Sequence, residues 1–269
     1  METPASILRR HHLKPKKEWG QNFLGDERIL ASLAELADLH AGDTVVELGA
    51  GLGHFTRALA ATGAKVIAVE RDRELAPILR AELEPLGVQV EEADAKSFDL
   101  APFAAAAGKP VVLVGNLPYH LSSSILCHLL DQRAFVRRAV FLLQREVAER
   151  VAAPPGGKDY GLLSVLLGLY ADASVGLEVP RGAFLPPPAV ESSALVLQML
   201  PAPRAEVRDE QRFRAVVKAA FAQRRKTLSN ALRPVPGARE ALVRAGIDPM
   251  RRGETLSAVE FALVERAIE

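Results

Sequence analysis

The feature that most constrains the fold is the alternation of short apolar segments with segments of helical periodicity along the first half of the chain. A fully apolar run such as Val111–Val114 predicts a strand buried on both faces. Strands and helices in alternation predict a parallel, doubly wound α/β sheet. The predicted strands are Thr44–Leu48, Lys65–Val69, Val88–Glu91, Val111–Val114 and Ala139–Leu143, and the predicted helices are residues 25–40, His54–Ala61, Arg73–Leu83, Ser122–Leu130 and Arg145–Val151.

The rest of the chain predicts a second, smaller domain. An apolar helix is expected at Gly161–Ala171, and two later strands, Ser174–Val179 and Ala194–Met199, could pair antiparallel at one edge of the sheet. Pro201 and Pro203 indicate a hinge, beyond which only helical periodicity is found. The expected divisions are a basic N-terminal arm with a cofactor-capping motif at 1–24, an α/β domain at 25–200, a linker at 201–208 and an all-helical domain at 209–269.

The segment Asn116-Leu117-Pro118-Tyr119 follows the fourth predicted strand, at the edge where open α/β sheets bind ligands. The exocyclic nitrogen of adenine is a poor nucleophile because its lone pair is shared with the ring. The Asn116 side-chain carbonyl and a backbone carbonyl beside Pro118 could accept its two hydrogens, and Tyr119 offers a ring for stacking. Methyl transfer to a base amino group is one interpretation of the motif, and an ordinary Asn-x-Pro turn is the other.

A glycine loop, Glu47-Leu48-Gly49-Ala50-Gly51-Leu52-Gly53, follows the first predicted strand and opens a helix. Its third glycine comes two residues after the second, not three as in a dinucleotide fingerprint, and an acid precedes the first. This arrangement suits S-adenosylmethionine (SAM), which has no phosphate to cradle. NAD is the main rival ligand.

Acidic side chains follow the next two predicted strands. Glu70 could accept hydrogen bonds from both ribose hydroxyls of the cofactor, and Asp94 could accept from its adenine amino group. Each single residue could instead cap a helix. Because Glu70, Asp94 and Asn116 stand at three successive strand ends, together they favour a SAM site.

Charge and composition limit the partners and the location. The net charge of +1 is the sum of +3 over residues 1–20, +5 over residues 204–269 and −7 over the residues between them. Two positive ends around an acidic centre suit a polyanion that is bound at the edges of the molecule. Solvated surface charge is the alternative. No apolar run approaches the ~20 residues that span a membrane, and the N-terminus is no signal peptide. We therefore expect a cytoplasmic protein, and a monomer. We expect no disulfide, since Cys127 is the single cysteine, and no metal site.

Five motifs follow one another along the chain. They are Gly20-Gln21-Asn22-Phe23-Leu24, the glycine loop with Glu70, Asn116-Leu117-Pro118-Tyr119, the segment Phe184-Leu185-Pro186-Pro187-Pro188-Ala189-Val190-Glu191-Ser192, and Ala220-Phe221-Ala222-Gln223-Arg224-Arg225-Lys226-Thr227-Leu228. In this order they resemble the ribosomal RNA adenine N6,N6-dimethyltransferases of the KsgA type, over about residues 11–265. Departures are minor: Ala93, Lys96, His120 and Ala189 stand where other residues are common in the family, and none removes a required group.

The resemblance implies a Rossmann-like SAM-dependent methyltransferase with a small all-helical C-terminal domain. The implied reaction is dimethylation of two adjacent adenosines in a 3'-terminal hairpin loop of 16S ribosomal RNA, within an immature 30S subunit and coupled to its maturation. The implied cofactor contacts are Asn22, Leu24, Gly49, Gly51, Glu70, Asp94 and Asn116, and the implied target-base residues are Asn116, Pro118, Tyr119 and Phe184.

Two basic clusters are expected to contact RNA. A helix around Phe221–Leu232 is expected to present Gln223, Arg224, Arg225 and Lys226. Lys16 and Lys17, with His11, His12 and Lys14, form a second patch that could be a flexible arm ordering on RNA. Taken alone, a solvated helix face would explain the first cluster better.

Three alternatives stay open. The erythromycin-resistance methyltransferases share the core motifs and act on large-subunit RNA. An assembly factor acting mainly by binding is the second alternative. A DNA adenine methyltransferase is the third, although about 60 helical residues leave little room for a sequence-recognition domain.

Overall fold

The computed structural model describes residues 1–269, which form two compact units. The first comprises 1–148 and 174–199, and the second comprises 149–173 and 200–269. The strands are β1 (Phe23–Leu24), β2 (Thr44–Leu48), β3 (Lys65–Glu70), β4 (Gln89–Glu92), β5 (Val111–Asn116), β6 (Val136–Gln144), β7 (Ala171–Val179), β8 (Phe184–Leu185) and β9 (Ser192–Met199). The helices are α1 (Pro4–Arg10), α2 (Glu27–Leu36), α3 (His54–Ala60), α4 (Ala76–Leu83), α5 (Ala101–Ala107), α6 (Ser122–Asp131), α7 (Arg145–Ala152), α8 (Leu162–Gly168), α9 (Glu210–Ala222), α10 (Leu228–Ala231), α11 (Ala238–Arg244) and α12 (Ala258–Arg266).

Seven strands form the main sheet in the order β4-β3-β2-β5-β6-β9-β7. The first five run parallel, and β9 runs antiparallel to β6. All of β2 and nearly all of β3 and β5 are buried, as expected of strands covered by helices on both faces. The predicted doubly wound, mostly parallel α/β fold is confirmed.

The first unit brings the carboxyl ends of β2, β3, β4 and β5 to one edge of the sheet. Gly115 in β5 allows two of these strands to approach closely, because a Cβ at this position would lie 2.5 Å from the carbonyl oxygen of Leu48. Helix α2 covers the sheet with its apolar face and is capped by Asp26, whose side chain accepts two backbone N–H groups. The ends of β2 and β5 are therefore closely spaced at the edge where ligands bind in such folds.

A separate two-stranded sheet pairs β1 with β8, with Phe23 opposite Leu185 and Leu24 opposite Phe184. The sequence analysis predicted neither strand, since each is two residues long. The pairing holds the segment before α2 against the segment before β9.

The N-terminal segment contains a helix, not only a basic tail. Helix α1 is capped by the Thr3 side chain and buries Ile7 and Leu8 in a cluster with Phe23 and Leu52. The basic arm expected at residues 1–24 therefore includes a helix at Pro4–Arg10 that was not predicted from the sequence. Two apolar side chains among charged neighbours are a weak sequence signal, but their burial anchors the helix.

The second unit is helical, and its core includes Phe213 of α9 and Phe261 of α12. Helix α12 begins with a capping box between Ser257 and Glu260. None of the helices in the protein has the length and apolar character that crossing a bilayer requires.

Two predicted boundaries differ from the structure. The helix expected at Gly161–Ala171 ends at Gly168, and β7 begins at Ala171. Residues 149–173 belong to the second unit, although a single α/β domain was expected over 25–200. Helix α8 packs against α9 and buries Val165, Leu166 and Leu167, and this burial assigns it to the helical unit.

Candidate active site

A pocket opens at the carboxyl edge of the parallel strands, where the sequence places its acidic and amide side chains. Its wall is completed by a segment that crosses this edge before α2, residues 16–24, which we call the strap. The pocket is lined by Trp19–Leu24 of the strap, by Glu47–Leu52 around the glycine loop, by Glu70 and Arg71, by Ala93–Ala95, and by Gly115–Tyr119, together with apolar side chains from α2, α3, α6 and β6.

The glycine loop turns with left-handed backbone conformations at Gly49 and Gly51, with φ of 77° and 58°. A Cβ on Gly51 would lie 3.2 Å from the ring of Phe23 in the strap. One on Gly49 would lie 3.8 Å from the carbonyl oxygen of Asn116. The loop therefore needs glycine for its turns, and at Gly51 also for a close approach to the strap.

Glu70 ends β3 with its carboxyl group buried, at 6 % exposure. One oxygen accepts the Gly51 N–H at 2.8 Å, and the other accepts the Asp72 N–H at 2.8 Å. Burial raises the pKa of Glu70, while these backbone N–H groups oppose the shift. Each oxygen keeps a lone pair for a ligand hydroxyl, as expected of a ribose acceptor.

Asp94 follows β4 and lines the same pocket. Its Oδ1 accepts the Lys96 N–H at 2.9 Å, whereas its Oδ2 has only long contacts, 3.5 Å to Arg71 Nη1 and 3.7 Å to Lys96 Nζ. Oδ2 is the oxygen available to a ligand donor such as an adenine amino group.

Glu47 is a pocket residue that the sequence analysis did not name as a ligand contact. Its carboxyl group is 1 % exposed, and Oε2 has no hydrogen-bond partner. Burial raises the pKa of Glu47 to about 8, and the neighbouring Glu70 carboxylate adds to the shift. The nearby Thr56 hydroxyl opposes the rise in this pKa, although its oxygen makes no hydrogen bond of normal geometry. The sequence signal for this residue was its position as an acid at the start of the glycine loop, two residues before Gly49.

Asn116, the last residue of β5, is oriented by the strap. Its Nδ2 donates to the backbone carbonyl of Asn22 at 2.9 Å. A carbonyl oxygen can only accept, so the amide must direct its NH₂ group to Asn22. Its Oδ1 remains as an acceptor for an amino group in the pocket. The side chain of Asn22 itself donates to the Gly20 carbonyl at 3.1 Å.

Pro118 and Tyr119 line the pocket beside Asn116. The Tyr119 hydroxyl is hydrogen-bonded to the Ser192 Oγ at 2.7 Å, and Ser192 is fully buried at the start of β9. Burial raises the pKa of Tyr119, so the phenol stays protonated at neutral pH. This bond links the two motifs and fixes the position of the ring.

The strap is anchored to the end of β3 through Asp72, which is 2 % exposed. Lys16 Nζ lies 2.7 Å from one carboxylate oxygen of Asp72, and Gln21 Nε2 donates to the other at 2.8 Å. Gly20 adopts a φ of 66°, and a Cβ there would lie 3.2 Å from the His120 ring. The strap thus packs on both the strand ends and the Asn116 loop.

Phe184 is the predicted target-base residue that the structure does not bring into the pocket. It is 4 % exposed and packs in the hydrophobic core with Leu24 and Leu30. In the pairing of β8 with β1 it stands opposite Leu24, which does line the pocket. The other predicted cofactor and base residues all line one cavity.

The predicted RNA contacts have different surroundings. Lys16 is engaged by Asp72 and by Glu74, whose oxygen lies 2.5 Å away, and the pKa of Lys16 is raised chiefly by these hydrogen bonds. Arg224 donates to the carbonyls of Lys158 and Tyr160. Exposed side chains without an ion pair are Lys17, Gln223, Arg225 and Lys226.

The basic cluster lies on a turn and not on the expected helix. Helix α9 ends at Ala222, Gln223 leaves the helical conformation with a φ of −131°, and α10 begins only at Leu228. The Lys226 N–H donates to the Gln223 carbonyl and closes this turn. No group of three or more His, Cys, Asp or Glu side chains is placed to hold a metal ion.

Comparison with known proteins gives consistent results. The family model described as ribosomal RNA adenine dimethylase matches residues 12–269. A Myxococcus xanthus protein named ribosomal RNA small subunit methyltransferase A is 54 % identical over all of this chain and 96 % of its own length. A Magnetococcus marinus protein of the same name is 44 % identical over 95 % of this chain and 92 % of its own length.

Two solved structures are similar over most of the chain. The 23S rRNA methyltransferase ErmE has a TM-score of 0.69 and 26 % identity, covering 92 % of this chain and 99 % of that one. A dimethyladenosine transferase from Plasmodium falciparum has a TM-score of 0.74 and 22 % identity, covering 90 % and 95 %. At that identity, the second similarity shows the fold alone.

Proposed function

The chain belongs to the ribosomal RNA adenine dimethylase family, and we propose from this premise that it dimethylates N6 of two adjacent adenosines in a 3'-terminal hairpin loop of 16S ribosomal RNA. It is a SAM-dependent ribosomal RNA adenine dimethyltransferase. The observation that carries the chemistry is the orientation of the Asn116 amide, whose oxygen faces a pocket that also contains Glu70 and Asp94.

The pocket fits SAM by charge and by its hydrogen-bond acceptors. Three carboxyl groups, those of Glu47, Glu70 and Asp94, line it, and Arg71 is the only lysine or arginine among the lining residues. SAM carries a sulfonium and an ammonium group, so an acidic pocket suits it better than a dinucleotide. The buried Glu47 oxygen without a partner is an acceptor that a ligand donor can satisfy. Glu70 would hold the ribose and Asp94 the adenine.

When bound, the cofactor supplies an electrophilic methyl group on sulfur. The protein holds the acceptor nitrogen in line with that methyl group. Asn116 Oδ1 accepts one hydrogen of the target amino group, and a backbone carbonyl at Leu117 or Pro118 accepts the other. These bonds localise the nitrogen lone pair, which is otherwise shared with the ring. As the C–N bond would form, the methyl–sulfur bond would break, and the nitrogen would become strongly acidic and lose its proton to solvent. Catalysis is then mainly positioning and hydrogen bonding, without a general base.

Tyr119 would stack on the target base, its ring held by the Ser192 hydrogen bond. The base must leave its stack, which costs least in an RNA loop. After the first transfer one N–H remains, so the second transfer needs only one of the two acceptors. The methyl group then occupies the position of a hydrogen.

We assign RNA binding to exposed basic side chains. Arg225 and Lys226 on the turn after α9 and Lys17 on the strap have no ion pair within the protein, so they are free to contact phosphates. The Arg224 side chain stabilises the turn, because it donates hydrogen bonds to the backbone carbonyls of Lys158 and Tyr160. We assign the substrate to the immature 30S subunit and place the enzyme in the cytoplasm as a monomer.

Small-subunit RNA is preferred over the alternatives. The relatives that match at 54 % identity are named as small-subunit methyltransferases, whereas the similarity to the 23S enzyme ErmE is 26 %. An assembly role without catalysis does not explain why the Asn116 amide is held with its oxygen toward the pocket.

The experiment is methyl transfer from labelled SAM to undermethylated small subunits, large-subunit RNA and duplex DNA, followed by digestion and mass analysis. Dimethyladenosine on small subunits alone supports the proposal. Label in large-subunit RNA would support the resistance-type activity. SAM binding with no transfer to any substrate would support an assembly role.

A further inference from the structure

Trp19 and Arg71 contact each other at the rim of the pocket, outside the residues that the reaction requires. The Arg71 Cζ lies 4.4 Å from the centroid of the Trp19 ring, within the range of a cation–π contact. Both side chains line the pocket, and Trp19 is the only tryptophan in the chain. The Lys16 ammonium lies 4.8 Å from the same ring. The indole therefore sits among cations at the pocket opening.

The pair lies at the end of the pocket that is assigned to the adenosine part of the cofactor. Arg71 follows Glu70 directly, and its Nη1 is 3.5 Å from Asp94 Oδ2. That distance is too long for a strong hydrogen bond. Asp94 can therefore accept from a base amino group while the Arg71 guanidinium stays stacked on the indole.

The two partners differ in how firmly they are held. Trp19 belongs to the strap, and its backbone N–H donates to the Lys16 backbone carbonyl at 3.0 Å. Lys16 in turn is fixed by the buried Asp72. The Arg71 side chain is 38 % exposed and has only the indole and the long Asp94 contact. One side of the rim is therefore rigid, and the other can move without disturbing the core.

We propose that Trp19 and Arg71 form a lip over the adenosine half of the cofactor site, and that this lip sets how fast SAM and its demethylated product leave. The inference rests on the proposed function, because it takes the ligand from it. Departure requires the exposed stack to open, whereas methyl transfer takes place at the Asn116 end of the pocket. Both are positioning residues that affect residence time and not the chemical step.

The test measures dissociation of labelled SAM and of S-adenosylhomocysteine after a chase, in the full-length protein. The variants are Arg71→Leu, Trp19→Ala and Trp19→Phe. We expect dissociation to become about three- to tenfold faster in the first two, with the phenylalanine variant between them and the wild type.

Arg73→Leu is the matched control. Arg73 lies two residues further along, is 89 % exposed, has one 3.5 Å ion pair with Glu92, and does not line the pocket. Its variant is expected to release both ligands at the wild-type rate. Faster release of the two ligands from this control as well would indicate a general effect of removing a positive charge, and it would overturn the proposed role of the lip.

The fluorescence of Trp19 gives an independent readout. SAM binding is expected to change its emission in the wild type, because Trp19 lines the pocket. Calorimetric binding without any emission change would overturn the inference, as would unchanged dissociation in Arg71→Leu and Trp19→Ala. A failure of the wild type to bind SAM in calorimetry would instead overturn the proposed function. Arg71→Leu keeps the test valid if Trp19→Ala does not fold, because the Arg71 side chain is not part of the core.

Discussion

The amide nitrogen of Asn116 lies 2.9 Å from the backbone carbonyl oxygen of Asn22, which is 94 residues earlier in the chain. The bond joins the Asn116 loop after β5 to the strap, and the strap is itself fixed to β3 through Asp72. The acceptor that we assign to the target base therefore depends on a segment remote in sequence. The same segment carries Trp19 and closes the cofactor pocket.

Tyr119 and Ser192 are expected to act as one unit in holding the target base. Tyr119→Phe and Ser192→Ala each remove the 2.7 Å bond but keep the ring, so each should lower the single-turnover methylation rate by about three- to tenfold. Tyr119→Ala removes the stacking surface and should cost about 10–100-fold or more. Equal rates for Tyr119→Phe and Tyr119→Ala would refute a stacking role.

Gly115→Ala is expected to destabilise the protein by about 1–3 kcal/mol, because the new Cβ would lie 2.5 Å from the Leu48 carbonyl oxygen and 2.9 Å from the Leu117 side chain. Gly168→Ala is the control, since its Cβ would meet no atom within 4 Å and its φ is not left-handed. Urea denaturation measures both. A Gly115→Ala protein as stable as the control would contradict the close approach of β2 and β5.

Much of this fold follows from local patterns of apolar residues in the sequence, whereas two helices do not. Buried parallel strands are continuous apolar runs, so β2, β3 and β5 were predicted to within two residues. Helix α5, by contrast, contains only alanines apart from Pro102 and Phe103, so it has no periodic apolar face from which it could have been predicted. Helix α1 is marked only by Ile7 and Leu8, whose partners are distant in sequence.

Asp43 is expected to stabilise the fold at neutral pH. Its carboxylate accepts from Lys109 Nζ at 2.7 Å, from Arg137 Nη2 at 2.8 Å and from the His40 N–H at 2.9 Å. The Lys109 hydrogen bond is the largest cause that holds the pKa of Asp43 well below its ordinary 3.8, and burial opposes it. A lowered folded-state pKa gives stability above pH 4 that is lost as the pH falls through that folded value.

Asp43→Asn should therefore cost about 1–3 kcal/mol of unfolding free energy at pH 7. The difference from the wild type should shrink below pH 4. The exposed Asp159, which has no ion pair, supplies the control variant Asp159→Asn, with no expected change. A pH-independent difference between wild type and Asp43→Asn would show that the stabilisation is not due to charge.

Glu47 is expected to have the opposite pH dependence in the cofactor-free protein. Burial raises the pKa of Glu47 from 4.5 to about 8, so its stabilising contribution is complete below pH 4.5 and is lost as the pH rises toward 8. Glu47→Gln keeps a neutral side chain throughout. Its unfolding free energy, relative to the wild type, should rise by up to a few kcal/mol between pH 5 and pH 8. Parallel pH profiles would contradict a buried neutral carboxyl group.

The site itself was only partly predictable. Glu70, Asp94 and Asn116 could be placed together, because successive parallel strands end at one edge. The Asn116–Asn22 bond and the Tyr119–Ser192 bond could not, since they join segments more than 70 residues apart. Phe184 was carried over by motif resemblance, and its ring lies in the core because β8 pairs with β1.

The most direct test of the catalytic role of Asn116 compares the methylation rate with the affinity for the substrate in the Asn116→Ala variant. Single-turnover methylation of undermethylated small subunits and the affinity for the same subunits would be measured side by side with the wild type. Because Asn116 Oδ1 is assigned to the target amino group, the rate should fall by about 100-fold or more while affinity stays within about threefold. Equal losses in rate and affinity, or a rate that is unchanged, would contradict the catalytic role of Asn116.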